Sequence, residues 1–195
     1  MRIKIFMLFF MIFMFPAAIC LASLIIDDYS PENFSFNVNL GVTDNEGTAD
    51  QLNASYSITA DLGSGFTGQY IYNDLETKIT IDGNKRIKSK QINLLKNERN
   101  GISFLIGSSQ NELVGYSSHT SIIAGIQGRV SIAPNTHAYV AMTSGNSVDG
   151  YAVGIGYNLT PNTEFRLDYS NMRYKDLAVE DITVKIPYGG IVYCF

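Results

Sequence analysis

Apolar and polar residues alternate one for one through most of this chain. In residues 33–42, Phe34, Phe36, Val38, Leu40 and Val42 share one face, and Ser35, Asn37, Asn39 and Gly41 share the other. In 51–62, Leu52, Ala54, Tyr56, Ile58, Ala60 and Leu62 alternate with Asn53, Ser55, Ser57, Thr59 and Asp61. A period of two is the strand period, and it is far from the 3.6 of a helix. The same pattern returns in 66–76 (Phe66, Gly68, Tyr70, Tyr72), in 121–132 (Ala124, Ile126, Gly128, Val130, Ile132) and in 150–159 (Tyr151, Val153, Ile155, Tyr157, Leu159). It continues in 163–174 (Phe165, Leu167, Tyr169), and 182–195 closes the series.

The links between these strands are turns. Residues 43–50 are rich in Gly, Asn and Asp, and Gly63-Ser64-Gly65 is a tight reversal. Ile132-Ala-Pro-Asn-Thr136 repeats as Leu159-Thr-Pro-Asn-Thr163, each joining one alternating strand to the next. Hairpins repeated in this way predict an up-and-down meander rather than a Greek key. The middle is less regular. Residues 79–92 are Lys-rich and poorly patterned, Asn97 to Gly101 reads as a turn, and 102–109 is apolar enough to be a strand. A strand at about 85–96 and another at about 101–110 bring the count to ten; one long external loop there would leave eight. Either count is even, so both termini lie on one side.

The last strand carries a further pattern. Ile191, Tyr193 and Phe195 fall on one face, with Gly190 five residues before the terminal Phe. Termini of soluble domains are usually frayed and exposed, whereas aromatic residues suit the interface of a membrane barrel. At the other end, Arg2 and Lys4 precede an uncharged run from residue 5 to 26, broken by Pro16 and followed by Ala17, Ala18 and Ala22. That is the layout of a secretory signal, expected here over residues 1–22 with cleavage after Ala22 or, alternatively, Ala18. A short periplasmic segment, 23–32, would then lead into a barrel over 33–195. Cys20 follows Ile19 rather than a small residue, which argues against lipidation. Cleavage after Ala22 leaves Cys194 as the single cysteine, so no intramolecular disulfide or cysteine metal site is then expected.

Composition sharpens the environment. The chain has 14 Lys+Arg and 18 Asp+Glu, and losing Arg2 and Lys4 makes the exported product more acidic still. That excludes nucleic acid as a partner. The polar face holds Asn, Ser, Thr and Gln together with Asp61, Arg129, Glu164, Arg166 and Asp168. The apolar face places Tyr56, Tyr151, Tyr157, Tyr169 and Tyr193 near strand ends, as an interfacial girdle would. Strands of about ten residues at ~3.3 Å, tilted ~40°, cover roughly 25 Å, the height of an outer-membrane apolar band. Closure removes the sheet edges that lipid does not tolerate. A soluble exported barrel or sandwich is the alternative fold.

The tail residues Tyr188, Gly190, Tyr193 and Phe195 resemble the C-terminal assembly signal of bacterial outer-membrane barrels: polar, x, Gly, two residues, hydrophobic, x, aromatic. With the hairpin pattern over 33–195, the chain resembles the small OmpA/OmpX-like and opacity-type barrels of the Gram-negative cell envelope. The resemblance implies an all-β, transmembrane up-and-down antiparallel barrel, monomeric, in contact with outer-membrane lipid and lipopolysaccharide. It also implies that the barrel-assembly machinery reads the last strand. No added periplasmic domain of the peptidoglycan-binding kind is expected.

For function, the pattern implies a non-enzymatic barrel without cofactor or metal, with a structural or surface-interaction role. A narrow, porin-like passive pore is the alternative. The lumen charges Asp61, Arg129, Glu164, Arg166 and Asp168 would either sort solutes or, paired, fill the interior as a plug; a small barrel favours the plug. A lipid-modifying barrel enzyme is a third reading. His119-Thr120-Ser121 matches the His-x-Ser letters of a lipid A deacylase family, but no acidic residue lies within 122–146 to hold the base. His137, after a turn, reads as ordinary surface. The acidic loop residues Asp44, Glu46, Asp50, Glu180 and Asp181 read as solvated charge.

Overall fold

The computed structural model describes residues 34–43, 51–79, 83–98 and 101–195. The expected leader 1–22, segment 23–32 and the acidic residues Asp44, Glu46 and Asp50 lie outside the described residues. Ten strands run in order: β1 Phe34–Thr43, β2 Gln51–Gly63, β3 Phe66–Ile79, β4 Gly83–Asn97, β5 Ile102–Leu113, β6 Ser117–Ala133, β7 Thr136–Gly145, β8 Val148–Thr160, β9 Thr163–Tyr174 and β10 Ile182–Cys194. Each pairs antiparallel with its neighbours in sequence, and β1 pairs with β10 to close the barrel. The choice between eight and ten strands is thereby decided. The irregular middle is a regular hairpin: β3 and β4 pair from Phe66↔Lys96 to Ile79↔Gly83.

Closure depends on close approach at the seam. The seam runs from Ser35↔Cys194 to Gly41↔Tyr188. A Cβ on Gly190 would meet Asn39 Oδ1 at 1.8 Å and the Val38 carbonyl at 2.6 Å. Only glycine fits there, which gives the glycine of the tail pattern a packing reason. The last residue finishes the seam: Phe195 N–H donates to the Phe34 carbonyl at 2.9 Å. Its ring sits 5.5 Å from that of Phe34 and 4.8 Å from that of Tyr193.

The surface facing out of the barrel is apolar over most of its height. Phe36, Ile58, Tyr70, Phe104, Ile126, Val153, Leu167 and Ile191 are all exposed. The facing interior is polar, with Asn53, Ser89, Ser109 and Asn111 fully buried. Toward the end that carries the 113–117, 145–148 and 174–182 connections, the loop end, the arrangement reverses. Leu75, Ile87, Leu113, Ile123, Val148, Tyr174, Ile182, Val184 and Ile186 point inward and pack as one buried cluster, joined by Tyr188 and by Leu177 from the last loop. Outward positions on the same strands are charged: Asp74, Glu76, Arg86, Lys88, Glu112, Asp149, Arg173 and Lys185. Polarity therefore inverts along the barrel axis, polar inside and apolar outside below, apolar inside and polar outside above.

A satisfied polar network sits beneath this apolar cluster. Asn111 Oδ1 accepts from Ser89 Oγ at 2.7 Å and from Ser109 Oγ at 3.0 Å, and Asn111 Nδ2 donates to Ser147 Oγ at 3.1 Å. Ser121 Oγ lies 2.6 Å from Ser147 Oγ. Completed networks of this kind rigidify a buried polar layer instead of weakening it. The last loop is tied over the mouth: Ser117 Oγ donates to the Leu177 carbonyl at 2.7 Å, and Lys175 pairs with Asp149.

Candidate functional site: the barrel interior

Near the turn end, four side chains from three strands converge. Glu164 of β9 accepts from Arg129 Nη2 of β6 at 3.1 Å and from Arg166 Nε of its own strand. Arg129 Nη2 also lies 2.9 Å from His137 Nδ1. His137 Nε2 is 3.1 Å from Glu164 Oε2, at ion-pair distance but out of line for a hydrogen bond. The guanidinium of Arg166 lies 4.8 Å from the centroid of the Tyr139 ring. Glu164 reaches across β8 because the intervening residue is Gly156, where a Cβ would stand 2.2 Å from His137 Nε2 and 2.5 Å from Glu164 Oε1. One carboxylate thus serves two guanidinium groups, and the fork geometry of arginine suits that sharing.

The structure brings together three of the five lumen charges expected from the sequence: Arg129, Glu164 and Arg166. It adds His137, which is 3 % exposed and not the surface residue the turn position suggested. The apparent position after a turn misled, because the chain re-enters the barrel at Thr136 and its next inward side chain is His137. Asp61 stands apart. Its Oδ1 accepts from Gly63 N–H at 2.9 Å, so it shapes the β2–β3 turn and does not join the cluster. Asp168 faces inward but has no hydrogen-bond or ion partner among the described residues; its Oδ1 is buried and unmatched. The expected pairing of Asp168 with an arginine is absent because Arg166 turns to Glu164 and Tyr139.

Cavities lie between described residues of the interior. One, of about 120 Å³, lies toward the turn end and is lined by Ser35, Asn37, Thr67, Gln127, Arg129, Tyr139 and Arg166 among others. The second, of about 170 Å³, lies at mid-height below the apolar cluster and is lined by Asn39, Asp168, Met172, Tyr174 and Ile186 among others. Of the tail residues, Tyr193 and Phe195 are outward and exposed, whereas Tyr188 is inward and buried in the apolar cluster. Tyr188 therefore serves packing here. His119 and Ser121 share the inward face of β6, but Ser121 bonds to Ser147, and His119 is exposed.

An apolar outer wall that surrounds a polar, hydrogen-bonded interior is stable only where lipid replaces water outside. The chain is a small transmembrane β-barrel of the outer-membrane type. Its aromatic residues form two levels on the lipid face. Tyr56, Tyr72, Tyr151 and Tyr169 lie toward the loop end, with stacked or tilted pairs Tyr56–Tyr72 at 6.3 Å and Tyr151–Tyr169 at 6.4 Å. Phe34, Phe66, Tyr193 and Phe195 lie at the turn end, where Lys96 Nζ sits 4.7 Å from the Phe66 ring centroid.

No protein-family model matches the sequence, and no curated protein matches it. Among solved structures, Neisserial surface protein A is 10 % identical, covering 85 % of this chain and 98 % of its own, with a TM-score of 0.45. The Yersinia pestis outer membrane protein Ail, in a phospholipid bilayer nanodisc, is 13 % identical over 83 % of this chain and 99 % of its own, with a TM-score of 0.44. Ail in complex with the heparin analogue sucrose octasulfate is 15 % identical over 84 % and 97 %, with a TM-score of 0.33. Similarity at this level transfers no residue role to the present barrel.

Proposed function

We propose that this chain is a non-enzymatic bacterial outer-membrane barrel that conducts no solute and acts as a structural or surface-interaction protein. The apolar cluster that fills the loop end carries this reading. A water-filled path would have to pass Leu75, Ile87, Leu113, Ile123, Val148 and Tyr174, each at most 2 % exposed. The Glu164 cluster narrows the opposite end. The loop end also supports a surface role: Val179 is fully exposed at a loop tip, and Tyr116 is 59 % exposed beside Lys85.

On this reading the chain is exported through a cleaved signal at 1–22. The assembly machinery takes up the strand ending in Tyr193 and Phe195, and the barrel sits as a monomer among outer-membrane lipid and lipopolysaccharide. The test is recording from purified protein in planar bilayers. Little or no steady conductance is expected. Large, steady, weakly selective currents from the unmodified protein would overturn the closed barrel and favour a narrow passive pore.

A further inference from the structure

The carboxylate of Asp168 has no counter-charge among the described residues. It lies inside, its Oδ1 is buried and unmatched, and the nearest cation on its own strand, Arg166, is committed to Glu164. Leaving a charge unpaired in an interior is costly unless something compensates it. The same cavity holds a second orphan: Asn39, only 7 % exposed, has its Oδ1 unmatched. Tyr174, fully buried on the same strand as Asp168, lines that cavity too. All three line the mid-height space of about 170 Å³.

The cavity is two-sided. Asn39, Asn73, Gln91, Asp168 and Ser170 supply a polar floor, and Leu75, Met172, Val184 and Ile186 an apolar roof. A cavity of about 150 Å³ is known to accept a six-carbon guest. We propose that this cavity is a binding site for a small organic cation, an ammonium group on a short apolar chain, with Asp168 as its counter-ion. The ammonium would donate to the carboxylate of Asp168, while its chain lies against the roof. A bare divalent ion suits the site poorly, because such ions take six to eight oxygens and half of this lining is hydrocarbon. The polar cavity toward the periplasmic end adjoins this one, since Ala141 lines both, and Glu98 stands at its wall.

The test uses the full barrel in lipid nanodiscs, with empty nanodiscs as blank and n-butylammonium as probe. Binding is read by titration calorimetry, with 1-butanol as the neutral comparator. Charge-assisted bonding should make the ammonium bind at least roughly tenfold more tightly than the alcohol. Asp168→Asn, which keeps the shape, should remove that preference while the barrel still shifts its gel mobility on boiling. Ala152→Leu, which keeps the carboxylate and fills the cavity wall, should abolish binding of both probes and decides the matter if Asp168→Asn does not fold. Equal affinity for alcohol and ammonium, an undiminished preference in Asp168→Asn, binding retained by Ala152→Leu, or no binding to the parent at millimolar probe would each overturn the proposal.

Discussion

Glu164 receives two guanidinium groups and the edge of an imidazole on one carboxylate, and only 9 % of its side chain is exposed. Removing its charge would leave Arg129 and Arg166 together in the interior with no anion between them. Breaking a buried pair typically costs about 3–5 kcal/mol, whereas an exposed pair is worth about 0–1 kcal/mol. Glu164→Gln should therefore lower the unfolding free energy by several kcal/mol. Arg173→Gln, which breaks the exposed pair with Asp181 at the loop end, should change it by less than about 1 kcal/mol. Urea unfolding of both variants in lipid vesicles checks the contrast. Equal losses would mean that Glu164 is screened by water in the lumen. Gly156 explains why the cluster was hard to foresee: the sequence displays a glycine in a strand, and only the fold shows that a Cβ there would collide with both His137 and Glu164.

At the scale of the strand, facing decides the cost of a charge. Val153 and Leu167 face lipid on β8 and β9 and are 42 % and 52 % exposed. An arginine at either place should cost about 2–4 kcal/mol near the middle of the bilayer. Ala152→Ser and Ser170→Ala, on the inward face, should be close to neutral. The measurement is the folded fraction in bilayers, read by the gel shift on boiling; Val153→Arg folding as well as the parent would mean that the outer wall does not face lipid. The strands that were clear in the sequence are those whose phase is constant, such as β2 and β8. Strand β4 was obscure because its phase reverses within it. Arg86, Lys88 and Lys90 face outward beside inward Ile87, and then Ile92 and Leu94 face outward beside inward Asn93. Alternation persists throughout, but the apolar set changes sides between Lys90 and Ile92, so a single-phase template finds no pattern. Strand β10 does the same, with Ile182, Val184 and Ile186 inward and Ile191 and Tyr193 outward. The tail was thus legible as a lipid-facing strand, while the inward role of Tyr188 was not. The five lumen charges were legible as facing residues, but their partners were not, because Arg166 could have turned to Asp168 or to Glu164 by sequence spacing alone.

For the whole molecule, the reversal of phase marks a level. Below it the wall is apolar outside and polar inside, as lipid requires; above it the wall has the polarity of a water-soluble protein, with charged residues outside and an apolar core inside. The strands are long enough for both zones: β3, β4 and β6 run 14, 15 and 17 residues, where about 9–11 tilted residues cross a bilayer. The barrel should therefore stand clear of the membrane at its loop end, with Lys88, Glu112 and Lys185 in water and Ile58, Val153 and Ile191 in lipid. The check is single-cysteine labelling in vesicles on a background with both Cys20 and Cys194 replaced by Ser, with a membrane-impermeant maleimide. Lys88→Cys, Glu112→Cys and Lys185→Cys should react within the time that leaves Ile58→Cys, Val153→Cys and Ile191→Cys unmodified until detergent is added. Protection at residues 88, 112 and 185 would sink the whole barrel into the bilayer and leave the charged collar without an explanation. Reaction at residue 153 would take the apolar wall out of lipid, and with it the argument that this barrel spans a membrane.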